Sequence, residues 1–300
     1  PPMHKRAFFA VMAGLVVLAG LEGSASPSPP PGFLGDFEWS SDMKLFGGFS
    51  GIEVAANGRD FIALSDRAAL TQGRITRDAD GRIMAVSAGP MQRLKGKGDD
   101  LLQGARADSE GIALAPDGSL YISFEAVARV LHYKSVGSSA ENLPDHPDFA
   151  HLQNNSSLEA LAIDSNGALY TLPERSGNRD RPFPVYRFSK GKWDKKLSIP
   201  REGGFRPVGA DFGPDGRFYL LERDFRGLSG FSSRLRRFDL GSKGFSNETT
   251  LFESPTGLFD NLEGVSIWRD SKGRLTATMV SDNNMTIFLR TEIVEFRLPD

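Results

Sequence analysis

The stretch SEGIALAPDGSLYISFE, Ser109 to Glu125, decides the fold, because near copies of it return along the chain. They are FSGIEVAANGRDFIALSDR (49–67), LEALAIDSNGALYTLPER (158–175), PVGADFGPDGRFYLLERD (207–224) and LEGVSIWRDSKGRLTATMVSD (262–282). Each sets a short, mostly apolar run before Asn-Gly, Asp-Gly or Lys-Gly, and a run rich in Tyr, Phe, Ile and Leu after it. Asn-Gly and Asp-Gly accept the positive φ angles of a tight hairpin turn, so each copy reads as two antiparallel strands. The turn glycines Gly118, Gly167 and Gly216 stand 49 residues apart both times. That period is close to one four-stranded propeller blade, and a helical solenoid would show 3.6-residue periodicity instead.

Further strand-like segments follow most copies: RVLHYK (129–134), PVYRFS (184–189), SRLRRFDL (233–240) and EIVEFRL (292–298). These read as outer strands. The expected fold is all-β, a single β-propeller of five or six four-stranded blades over residues 33–300. Six is favoured, because pairing of FEWSSDMKLFG (37–47) with strands near the C-terminus would complete a sixth blade and remove the open edge. A β-sandwich is the competing architecture.

Composition agrees with a turn-rich β protein: 33 glycines, 18 prolines and 22 phenylalanines in 300 residues. Lys5 and Arg6 precede an apolar run from Ala7 to Leu21, and Gly23-Ser24-Ala25 supplies small residues for cleavage. Residues 1–25 therefore read as an export signal and 26–32 as a proline-rich linker. The apolar run falls short of the roughly 20 residues a membrane span needs. No stable span is expected after cleavage, and the expected location is periplasmic or secreted. With no cysteine, the exported fold stands on packing alone. Lysine plus arginine (36) nearly balances aspartate plus glutamate (38) without a long basic run, which argues against nucleic acid as a partner. Arg234, Arg236 and Arg237 alternate with apolar residues and read as a strand with one solvated face. A monomer is expected.

In a hairpin, the start of the first strand and the end of the second meet at one end. This pairs Glu110 with Glu125, Glu159 with Glu174, Glu263 with Asp282 and Ser50 with Asp66. The fourth copy offers Val208 with Glu222, and Asp211 and Asp224 lie close by. Carboxylates gathered at one mouth of a ring repel one another unless positive charge sits among them. Arg67, Arg175 and Arg223, each following an acid, are one source, and a divalent cation is another. Carboxylates with amide oxygens from Asn154, Asn155, Asn283 and Asn284 are hard ligands, which points to Ca2+, with Mg2+ as the alternative, over zinc. Acids paired with arginines alone, without metal, are the competing reading. The expected ligands are Glu110, Glu159, Glu263 and Asp66. Glu125, Glu174 and Asp282 are the expected acid–base groups, and Arg67, Arg175 and Asn283 the expected substrate-binding ones.

Other signals are weaker. Asp78-Ala79-Asp80-Gly81 reads as a hairpin turn, because the late glutamate of a calcium loop is missing. Asp145, His146, Asp148 and His151 form a polar cluster in a long connection, with no HExxH helix. Gly-x-Ser-x-Gly, a phosphate-binding P-loop and a dinucleotide fingerprint are all absent.

FGGFSGIEV with the later ALSDR, then DSEGIALAPDGSLYISFE, NNSSLEALAIDSNGALYTLPE, and NLEGVSIW with SDNN, come in an order that resembles the phytase-like domain family of exported bacterial proteins, labelled "esterase-like activity of phytase". The resemblance runs from about Phe46 to Asn284 and implies a β-propeller. It carries over Ser50, Asp66, Glu110, Glu125, Glu159, Glu174, Glu263, Asp282 and Asn283 as motif positions, and Val208 departs from the pattern. Calcium-dependent lactonases of the gluconolactonase type are a weaker likeness. Two functions follow as expectations. One is a metal-dependent hydrolase of small-molecule phosphoesters or carboxylic esters. The other is a non-catalytic periplasmic propeller that binds a ligand or protein and holds a structural calcium.

Overall fold

The computed structural model describes residues 27–152, 157–178, 180–284 and 289–300. The expected export signal and Asn154 and Asn155 lie outside the described residues. The chain enters through β1 (Phe33–Glu38) and then builds blade 1 from β2 (Phe49–Val54), β3 (Asp60–Ser65), β4 (Ala69–Arg77) and β5 (Ile83–Ala88), with β6 (Gln92–Arg93) added against β4. Blade 2 is β7 (Ser109–Leu114), β8 (Leu120–Phe124), β9 (Arg129–Tyr133) and β10 (Ala140–Asn142). Blade 3 is β11 (Leu158–Ile163), β12 (Leu169–Pro173), β13 (Phe183–Ser189) and β14 (Lys192–Ile199). Blade 4 is β15 (Arg206–Phe212), β16 (Phe218–Phe225), β17 (Phe231–Gly241) and β18 (Gly244–Glu253). Blade 5 is β19 (Asn261–Arg269), β20 (Leu275–Asp282) and β21 (Glu292–Arg297), with β1 as its fourth strand.

The described residues thus form a five-bladed propeller, not the favoured six. The N-terminal segment does pair near the C-terminus, Phe33 with Phe296 and Glu38 with Glu292, but it completes the fifth blade. Blade 5 has three strands of its own, so the leftover strand fills a gap and adds no blade. The strands fall into five separate sheets, which excludes a sandwich. Apolar clusters fill the seams between neighbouring blades, as where Leu221 and Leu235 of blade 4 meet Val265 and Met279 of blade 5. The Asp78 turn is a hairpin turn as expected, its carboxylate accepting from the backbone of Asp80 and Arg82.

The inner strands β2, β7, β11, β15 and β19 converge on an axis with almost no room. A Cβ at Gly209 would stand 2.4 Å from the Glu263 carbonyl oxygen, and one at Gly264 would stand 2.8 Å from the Cα of Gly51. This explains the small residue after each bracketing position, Gly51, Gly111, Ala160, Gly209 and Gly264. The gap left among Ile52, Ile112, Leu161 and Val265 is about 10 Å³, about the room of a single water, so the described inner strands leave no wide channel at this level.

Hydrogen bonds stitch the inner strands together. The Glu53 carboxylate accepts from Leu114 N, Asp211 from Ile267 N and the Ser266 hydroxyl from Val54 N. In all three, the third residue after one blade's bulged position receives the amide of the fourth residue after its neighbour's. Ala113 and Ala162 hold the corresponding places in blades 2 and 3, where that stitch cannot form.

Arg234 and Arg236 of SRLRRFDL do not form the solvated face expected, whereas Arg237 is partly exposed. Arg236 is fully buried, and Arg234 is 5% exposed. Both guanidiniums donate to the buried Glu222, Arg236 through Nε at 2.7 Å and Nη2 at 2.6 Å, and Arg234 through Nε at 2.9 Å. Arg236 also reaches Glu248 and the Pro200 carbonyl. A buried carboxylate with several charge-assisted bonds holds both cations out of water.

Candidate functional site

In all five inner hairpins the pairing register slips at the same place: at Ser50, within Ser109–Ile112, and at Glu159, Val208 and Glu263. A β-bulge bends its strand and re-aims the extra side chain. The slip therefore falls on the residue before the crowded glycine or alanine, and in blades 2, 3 and 5 that residue is glutamate. One pair further out, each hairpin closes with two more residues. Asp66, Glu125 and Glu174 donate their backbone N–H groups to the carbonyls of Gly48, Asp108 and Ser157, while Arg206 pairs with Arg223 and Asn261 with Asp282. The mouth is thus built from three tiers of five positions.

Eight of these positions are carboxylic acids: Asp66, Asp108, Glu110, Glu125, Glu159, Glu174, Glu263 and Asp282. Burial pushes Glu110 well above the usual carboxylate range, and the charges of Glu159, Glu263, Glu125 and Asp108 push it further. Glu159 is raised likewise, by burial and then by Glu125 and Glu174, with Arg223 opposing. Burial brings Glu125 and Glu263 to about 7, and Asp66 and Asp282 to about 6. A ring of this kind holds protons or takes up positive charge.

Part of that charge is built in. Arg223 donates through Nη1 to Glu263 and to Asn261 Oδ1 (2.5 Å), and its Nη2 lies 3.7 Å from Glu174. Asn261 donates to the same Glu263 oxygen at 2.8 Å. Arg206 stands behind, 3.5 Å from Glu174. Burial works against the Arg223 charge, but the neighbouring carboxylates Glu263, Glu159, Glu174 and Glu110 outweigh it and raise the Arg223 pKa, so the guanidinium stays charged.

On the blade 2 side, carboxylate oxygens of Asp108, Glu110 and Glu125 all lie within 4.8 Å of one another. None of the three has an ion pair with a basic side chain among the described residues. A cavity of about 510 Å³ opens beside Asp108 between blades 1 and 2, lined by Asp66, Arg67, Arg93, Leu102, Gln103 and Asp108, among others.

The expected residues divide as follows. Glu110, Glu159 and Glu263 share the buried floor, and Glu125 joins Glu110. Asp66 stands toward the cavity, its side chain a third exposed. Glu174 faces Arg206 and Arg223. Asp282 meets Asn261 and feels Asp66. Arg67 Nη2 donates to the Leu45 carbonyl (3.0 Å), Asn283 accepts from Gly48 N (3.0 Å), and Arg175 is on the rim, 3.8 Å from Glu174. Ser50 donates to the Ser109 carbonyl at 2.8 Å and is 2% exposed, so its hydroxyl is committed. Glu222, paired with Val208 in the sequence reading, points away into the Arg234–Arg236 network, and the mouth position of blade 4 belongs to Arg223. The Asp145–His151 cluster stays apart, with Asp148 bonded to Tyr186 and Lys195.

Asp108, Arg206, Asn261 and Arg93 were missed. The first three lie two residues before the bulged position, on the same strand face. Arg223 sits seven residues after its turn glycine, as do Glu125 and Glu174. Both spacings are readable in the sequence.

No curated protein matches the chain in sequence. Among solved structures, a gluconolactonase of Xanthomonas campestris is similar at 15% identity and a TM-score of 0.47, over 86% of this chain and 74% of that one. A Dyadobacter fermentans protein of unknown function is similar at 11% identity and a TM-score of 0.47, over 90% and 88%. A virginiamycin B lyase of Staphylococcus aureus is similar at 17% identity and a TM-score of 0.42, over 89% and 75%. Likeness at these levels assigns no activity. The family model described as "esterase-like activity of phytase" matches residues 44–285, nearly the whole propeller, and the chain therefore belongs to the phytase-like family.

Proposed function

We propose that the protein is an exported, metal-dependent hydrolase of phosphoesters or carboxylic esters working at its acidic mouth. The observation that carries this reading is the convergence of Asp108, Glu110 and Glu125, with Asp108 also lining a cavity of about 510 Å³. Donors that are all carboxylate oxygens fit a hard cation, Ca2+ first and Mg2+ second. These three residues would hold the ion, which when bound supplies positive charge against the scissile group and acidifies water. Asp66, raised to about 6 and lining the cavity, is placed to take the proton of the attacking water as general base. Arg67 and Arg93 line the same cavity and orient an anionic part of the substrate. Asn283 holds the Gly48 backbone, and Gly48 in turn lies against the Asp66 carboxylate, where a Cβ would come within 2.4 Å. The commitment of Ser50 to a backbone bond supports a route without a serine nucleophile. The family description supports ester cleavage, and the signal-like residues 1–25 support export.

The test is hydrolysis of p-nitrophenyl phosphate, p-nitrophenyl acetate and phytate by the purified protein, with calcium and after chelation. Turnover of at least one ester is expected, lost on chelation, restored by calcium, and reduced on the order of 100-fold in Glu110→Gln. No turnover in any condition, with calcium still raising the melting temperature, would replace this reading with that of a binding propeller.

A further inference from the structure

We propose that Arg223 is a built-in cation filling one half of the acidic mouth, so that the ring takes a single divalent ion on the Asp108 side and gains a second only when the guanidinium is removed. This rests in part on the metal-dependent reading above. Its own foundation is the make-up of blade 4.

The three tiers give each blade three mouth positions. Blade 2 fills them with Asp108, Glu110 and Glu125, blade 3 with Ser157, Glu159 and Glu174, and blade 5 with Asn261, Glu263 and Asp282. Blade 4 fills them with Arg206, Val208 and Arg223, and so contributes no carboxylate and two cations. It is the counter-charge of the ring. Arg223 crosses to blade 5, where it bonds Glu263 and Asn261, and lies near Glu174 of blade 3, which also faces Arg206. Glu159, Glu174 and Glu263, with the Asn261 carbonyl oxygen, thus surround a guanidinium where a hard cation would find the same oxygen donors.

Two cations in one desolvated ring repel strongly, since Coulomb energies grow as the effective dielectric falls. An ion entering the mouth therefore settles among Asp108, Glu110 and Glu125, which among the described residues converge without a hydrogen bond or ion pair to Arg223, although Glu110 feels its charge. Glu159 lies between the halves, feeling Glu125 on one side and Arg223 on the other. Arg223 in this view fixes both the number of ions and the side on which they bind.

The experiment is calorimetric titration of the chelated protein with calcium, comparing wild type, Arg223→Gln and Arg223→Lys. One ion per chain is expected for wild type and for Arg223→Lys, and two for Arg223→Gln. Chelated Arg223→Gln should melt below wild type, and calcium should raise its melting temperature by more than it raises that of wild type. A folded Arg223→Gln protein that binds no more calcium than wild type would overturn the proposal. So would an Arg223→Gln chain that stays unfolded in millimolar calcium, because the ion should replace the lost charge. Binding of no ion by wild type would overturn the one-ion count proposed here and the metal-dependent hydrolase reading together, whereas one ion in both wild type and Arg223→Gln would overturn this proposal alone.

Discussion

Arg236 and Arg237 are adjacent in sequence and opposite in consequence. Arg236 is fully buried against Glu222 and Glu248, whereas Arg237 reaches the Pro299 carbonyl in an exposed contact. Removing one partner of a buried ionic network leaves the other charge uncompensated, at a cost of about 3–5 kcal/mol. Arg236→Ala should therefore lose stability of that order in denaturant unfolding, and Arg237→Ala should stay within about 0.5 kcal/mol of wild type. Equal effects would show that the buried network is not a stability element. Alternation of arginine with apolar residues marked a strand, but it could not tell which face was wet. That depended on Glu222, whose strand pairs with theirs. The same side chain explains why blade 4 was misaligned: the glutamate in LLERD looks like the glutamate in TLPER, yet it stands one residue nearer its turn glycine.

At the scale of the element, the inner hairpin couples a bulge to a glycine. The bulge turns a glutamate to the mouth, and the residue after it must be small because a neighbouring backbone passes within van der Waals distance. Gly209→Ala places a Cβ 2.4 Å from a carbonyl oxygen that cannot swing aside. Overpacking of this kind costs about 1–3 kcal/mol, and the backbone contact puts this case at the upper end. The expected result is a lower denaturation midpoint with an unchanged slope; an unaltered midpoint would mean the axis is looser than the distances indicate. Ala160 fills the matching place in blade 3, so the ring accepts one methyl group there. The hairpins themselves were legible because Asn-Gly and Asp-Gly turns recur at a blade-sized period. The bulges were not, since a one-residue slip in pairing leaves no mark on composition or alternation. The blade number was also hidden, because β1 shares no motif with the repeat it completes.

The whole molecule carries the electrostatic cost of its mouth. Asp66, Asp282, Glu125 and Glu263 all have folded-state pKa values above the ordinary carboxylate range, at about 6 or 7. Between about pH 4 and 7 the native state then binds more protons than the unfolded chain, so stability falls as pH rises through that window. Carboxylates held low, such as Asp270 at about 2, act below it and do not reverse the trend. Without metal, the melting temperature should drop on the order of 5–10 °C from pH 5 to pH 8. Calcium, favouring the ionised carboxylates, should restore most of the loss at pH 8 and add little at pH 5. A metal-free melting temperature that rises over the same interval would contradict the raised pKa values.

The pairing of β1 with β21 also sets a schedule. Its partners, Phe33 and Phe296, come from opposite ends of the propeller, so an incomplete chain on the ribosome carries a first strand with nothing to pair with. Contacts this distant along the chain make for slow folding and leave partly built sheets open to misassociation. The closed ring becomes accessible only once the final strand has been synthesised.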